Sequence, residues 1–131
     1  MSSSIFTKII HREIPAEIIW EDEKFIAFLS INPHAPGHTL VVPKVEIDKF
    51  YDLDDEIASD LFLRAKFLAK NLEKIYETKR VILSIEGFEV PHVHIHLIPS
   101  NEGLPIVKSQ LGEIDLKTEA KKIRDFLSNK M

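Results

Sequence analysis

The run His92-Val93-His94-Ile95-His96-Leu97-Ile98 constrains this chain more than any other stretch. Strict alternation of imidazole and aliphatic side chains predicts a β-strand, since successive strand residues point to opposite faces. His92, His94 and His96 then share one face, turned to solvent or a cleft, while Val93, Ile95 and Leu97 pack on a core. A row of imidazoles suits acid–base or nucleophilic chemistry on an anionic substrate. Metal binding is the competing use, because two histidines one residue apart on a strand can ligate zinc. Residues two apart rise about 6.6 Å, which sets the outer two backbones about 13 Å apart and favours catalysis on an anion over one shared ion.

At 131 residues the chain is read as one domain, 1–131, long enough to bury a core without staples. A formal charge of −4 argues against bulk nucleic acid or an anionic membrane as the main partner. There is no cysteine, hence neither a disulfide framework nor a thiolate metal site. No signal-like or membrane-spanning run is evident, so the expected compartment is the cytoplasm.

The elements follow in order. Ser2 to Ser4 read as a frayed end, and Ile5, Phe6, Ile9 and Ile10 as one or two helical turns stopping before Pro15. Glu17–Glu21 and Lys24–Leu29 predict a hairpin joined at Asp22-Glu23. Asn32 to His38, with two prolines and a glycine, is a loop feeding the strand Thr39–Pro43. That places His38 at a strand edge where it can meet the histidine row, whereas His34 is expected to be an exposed loop residue without a role. Asp54-Asp55-Glu56 begins a helix carrying the apolar stripe Ile57, Leu61, Leu63, Ala65, Leu68, Leu72 and Ile75. Arg80–Ile85 is another strand, Glu86–Pro91 a loop into the histidine strand, and Ser100–Gly112 irregular. A terminal amphipathic helix over about 114–129 presents Ala120, Ile123, Phe126 and Leu127. Hairpin-length links without βαβ alternation predict an α+β fold on an antiparallel sheet.

The histidine run resembles the signature of the histidine triad (HIT) family. Lys8-Ile9-Ile10, Glu13-Ile14-Pro15-Ala16, Trp20-Glu21-Asp22, Ala27-Phe28, Asn32-Pro33 and Pro36 through Lys44 resemble its Hint-like branch, in that order, over about residues 5–100. The resemblance implies a five-stranded antiparallel sheet with two main helices, a homodimer, and a metal-independent phosphoramidase or nucleotidyl hydrolase acting on purine nucleoside monophosphate derivatives, without a cofactor. It implies His94 as the nucleophile, His92 orienting it through its carbonyl, and His96 and His38 on the phosphate oxygens. It further implies a nucleoside pocket of Phe6, Ile9, Ile14, Phe28 and Ile31.

Three departures from the family pattern stand out. Where many relatives begin a zinc site with Cys-x-x-Cys, this chain has Ser4 and Thr7, and Glu46 replaces a later histidine, so no structural metal is expected. Ser30 stands where an acidic or amide residue holds the ribose. The loop before the triad is about three residues short, which aligns Ser84 with an asparagine near the loop's start and Glu89 with the phosphate-side polar residue three before the triad. Dinucleoside polyphosphate hydrolysis, as in the Fhit branch, and a binding module with vestigial activity are the alternatives.

Overall fold

The computed structural model of the protein describes residues 3–103 and 113–129. Five strands, β1 (Ile18–Glu21), β2 (Phe25–Leu29), β3 (Thr39–Pro43), β4 (Arg80–Ser84) and β5 (Ile95–Ser100), form one antiparallel sheet in the order β1-β2-β3-β5-β4. Helices α1 (Ile5–Ile10), α2 (Asp55–Tyr76) and α3 (Leu116–Ser128) complete the fold. The predicted hairpin is present. Asp22 Oδ1 accepts the Lys24 and Phe25 backbone N–H groups, so the aspartate supplies the turn that the sequence order requires.

Every residue of β2 is buried because the sheet is covered on both sides. Phe25, Ala27 and Leu29 join the large core with the inner faces of α2 and α3, and Ile26 and Phe28 join a smaller cluster with Phe6 and Ile9 of α1. Val93, Ile95 and Leu97 lie in the large core, as their alternation predicts, and the three histidines take the α1 side of the chain. Leu63 leaves the expected α2 stripe. It follows Leu61 by two residues, about 200° around a helix, and is 52% exposed.

The histidine run is not strand throughout. β5 begins at Ile95, and its ladder with β3 ends at Val41↔Ile95. Continuing that register would set Val93 opposite Pro43, whose nitrogen carries no hydrogen for a ladder bond. The chain parts there, and the Val93 N–H donates to Ile47 O instead. At the other end β5 runs on through Pro99 to Ser100, carried by pairing with β4 out to Arg80↔Ser100. From residue 104 to 112 the predicted irregular stretch lies outside the described residues. The terminal helix starts at Leu116 because Asp115 caps it, accepting the Lys117 and Thr118 N–H groups.

Candidate active site

Two hydrogen-bonded chains of imidazoles meet at the break between β3 and β5. The first starts from a carbonyl. His92 Nε2–H donates to Pro43 O at 2.8 Å, and the Ser4 hydroxyl donates to His92 Nδ1 at 2.6 Å. His94 Nδ1–H donates to His92 O at 2.7 Å. A carbonyl can only accept, so His94 carries its proton on Nδ1 and its lone pair on Nε2.

The second chain starts from an amide and runs the opposite way. The His34 backbone N–H donates to His38 Nδ1 at 3.0 Å, which puts the His38 proton on Nε2. That proton donates to His96 Nδ1 at 2.9 Å, leaving His96 with a proton on Nε2. The His94 and His96 rings stand 4.8 Å apart, centroid to centroid. A nitrogen with a free lone pair and a nitrogen bearing a proton thus stand on neighbouring rings, each chain set at its origin by a backbone group.

Burial keeps His92, His94 and His96 neutral near pH 7. Burial pushes His94 below its ordinary value, against weaker upward pulls from the His92 carbonyl and the Glu89 and Glu86 carboxylates. His92 is likewise lowered by burial, opposed by the Pro43 carbonyl and Glu46. Burial, with His94 and His34 nearby, pushes His96 down to about 4.

The structure corrects three expectations. His92 does not look to solvent or a cleft; it is fully buried, with Phe6 5.8 Å from its ring. His34 has a part after all, since its amide sets the His38 tautomer. Ser4 is not a frayed end: it caps α1, accepts the Thr7 N–H at 3.0 Å, and is buried against His92. The Ser-x-x-Thr spacing at the start of an apolar turn was the signal for that cap.

Of the expected nucleoside contacts, Phe6 meets His94 edge-on at 4.8 Å and Phe28 at 5.5 Å. Phe6, Ile9 and Phe28 are buried in the smaller cluster, Ile14 packs on it, and Ile31 is 75% exposed. Ser30 is buried, its Oγ accepting the Asn32 N–H at 3.2 Å and its amide donating to His38 O. Ser84 pairs with His96 across β4 and β5, and Glu89 is exposed on the loop before the triad. A separate groove of about 240 Å³ is lined by Phe50, Tyr51, Glu86 and Phe88 among others, none of them an expected nucleoside contact.

Ser4, Thr7 and Glu46 occupy the positions that the resemblance assigns to zinc ligands in relatives. Here Thr7 Oγ1–H donates to Glu46 Oε1 at 2.6 Å, and the Ser4 N–H donates to the same oxygen at 2.8 Å. Two neutral hydroxyls, one carboxylate and an imidazole whose Nδ1 already accepts a hydrogen bond do not fit a structural zinc, which draws on thiolates and imidazoles. Among the described residues no group of three or more His, Cys, Asp or Glu side chains is arranged to hold a metal ion.

An antiparallel sheet with a histidine alternation at its central break defines the class. Residues 11–103 match the HIT domain. An uncharacterised HIT-like protein of Methanocaldococcus jannaschii is 38% identical over 126 residues, covering 92% of this chain and 98% of that one. Adenosine 5'-monophosphoramidase HNT1 of Saccharomyces cerevisiae is 40% identical over 104 residues, 77% of this chain and 65% of the yeast protein. A zinc-bound histidine triad family protein from Mycobacterium smegmatis superposes with a TM-score of 0.84 at 25% identity, over 97% of this chain and 94% of that one. The chain belongs to the histidine triad family.

Proposed function

We propose that this protein hydrolyses purine nucleoside phosphoramidates, or related adenylates, at the α-phosphate through a nucleotidyl-His94 intermediate. The observation that carries the reading is the His94 tautomer: Nδ1–H on the His92 carbonyl, with Nε2 bearing the lone pair of a neutral ring. The name of the yeast relative, an adenosine 5'-monophosphoramidase, supports the substrate class.

In the first step His94 Nε2 bonds to phosphorus as the P–N bond breaks and the amine, protonated from solvent, leaves; His94 keeps its Nδ1 proton and becomes a nucleotidyl-imidazolium. In the second, water attacks phosphorus and gives up a proton to solvent, while the P–Nε2 bond breaks and its electron pair returns to Nε2, leaving His94 neutral with Nδ1–H. The products are the nucleoside monophosphate and the amine. His96 Nε2–H, held by the relay from His38, suits the phosphate oxygens where charge spreads in the transition state. Phe6, Ile9, Ile14, Phe28 and Ile31 would take the base, and Ser30 the ribose. Ser84 and Glu89 would lie on the phosphate side. β4 ends the sheet with Leu83 42% exposed, which supports the homodimer expected from the resemblance.

The test is steady-state hydrolysis of adenosine 5'-phosphoramidate, with intact mass recorded on quenched samples. The wild type should turn over and show a nucleotidyl adduct, and His94→Ala should do neither. A well-folded wild type without turnover rejects the reading.

A further inference from the structure

α1 is six residues long, too short to persist as a helix by its own hydrogen bonds. Its first turn is instead tied to two distant parts of the chain. Ser4 Oγ–H donates to His92 Nδ1 across 88 residues of sequence, and Glu46 Oε1 receives both the Ser4 amide and the Thr7 hydroxyl. The Thr7 hydroxyl and the Ser4 amide together hold the Glu46 carboxyl below the usual carboxylate range. Two residues past the cap, Phe6 sets its ring edge-on to His94, 4.8 Å away at 77°. The helix and its cap therefore touch the ring of His92, whose backbone carbonyl receives His94, and the His94 ring itself.

We propose that Ser4 and Glu46 are positioning residues, forming a metal-free latch that holds α1 on the triad. The proposal rests on His94 as the nucleophile. Ser4 acts through His92. With its hydroxyl on Nδ1, the buried ring stays on Pro43 O, and the His92 carbonyl stays 2.7 Å from His94 Nδ1. Without that hydroxyl a buried acceptor is left unpaired, and the cheapest relief is a shift of the ring or entry of water. Glu46 acts through α1. It receives two bonds from the first turn, and releasing them frees Phe6, whose ring edge meets His94, and Ile9, packed in the same apolar cluster. The two residues should thus differ in kinetic signature: Ser4 acts on the chemical step, and Glu46 on binding.

The experiment compares Ser4→Ala, Ser4→Thr and Glu46→Ala with the wild type, using adenosine 5'-phosphoramidate kinetics and histidine side-chain ¹⁵N NMR. Ser4→Ala should lower kcat about tenfold and weaken the Nδ1–H signature of His94, whereas Ser4→Thr, which keeps the hydroxyl, should recover most of both. Glu46→Ala should raise KM about fivefold with kcat within twofold. Wild-type kcat and an unchanged His94 spectrum in folded Ser4→Ala, or an unchanged KM in Glu46→Ala, overturns the latch. If Ser4→Ala fails to fold, Ser4→Thr and Glu46→Ala still decide it. If the wild type itself does not turn over, the hydrolase reading fails, and the His94 tautomer in the variants alone judges the latch.

Discussion

The two histidine pairs differ in what each begins from. His92 and His94 hang on carbonyls, Pro43 O and His92 O, and stand on a stretch that has left the sheet. His38 and His96 hang on an amide, the His34 N–H, with His96 inside β5. Because a carbonyl can only accept and an amide only donate, one pair ends in a bare nitrogen and the other in a proton. Four chemically identical side chains acquire opposite roles from their backbone partners.

The largest break in that comparison is His94→Ala, which removes the carbonyl-led nitrogen. It should cost about a thousandfold or more in kcat with the fold intact, checked by activity beside a thermal melt. Gly37→Ala attacks the amide-led pair from outside. Gly37 holds φ +85°, and a Cβ there would fall 2.3 Å from the Tyr76 ring, itself anchored through its hydroxyl to Glu119. A loss of roughly 3 kcal/mol is expected from urea unfolding, with kcat falling further than stability explains as His38 shifts.

Acid should weaken both pairs together. His92, His94 and His96 all sit below their ordinary value when folded, His96 at about 4. As pH falls below about 6.5 the unfolded chain takes up protons that the folded one refuses, so stability drops. The decline should stretch from about pH 6.5 towards 4 and be absent above about 7, as read from urea midpoints across that range. A midpoint flat from pH 7 to 5 would remove the case for neutral, buried imidazoles.

The smallest change spares both pairs. Ser30→Asp restores a carboxylate at the position proposed for the ribose, and a hydrogen bond to a charged group is worth about 1.5–3 kcal/mol. KM for adenosine 5'-phosphoramidate should fall about tenfold with kcat little changed. An unaltered KM would take Ser30 out of the nucleoside site.

Much of this was legible beforehand. Alternation placed Val93, Ile95 and Leu97 in the core, and the proline-rich loop emptying into β3 brought His38 to the row. The α2 stripe was right except at Leu63, where residue type misled and helical angle decided. What the residue pattern does not announce is contact across long sequence distance or through the backbone. Ser4 reads as a tail because nothing near it in sequence shows that His92 waits 88 residues away. His34 carries no sequence signal, because its contribution is made by an amide that every residue but proline possesses.

By itself, then, the order of residues determined which side chains face together, since that follows from local periods of two and 3.6 residues. It also determined the chemistry on offer: imidazoles, hydroxyls and carboxylates, with no thiol. Only the tertiary structure decided which nitrogen of each ring bears the proton, where the strand parts at Pro43, and that hydroxyls and a carboxylate tie α1 down. The reason is physical. A tautomer is chosen by the partner of a ring nitrogen: for His92 and His96 that partner comes from a distant segment, and for His94 and His38 from a nearby backbone group aimed by the folded loop.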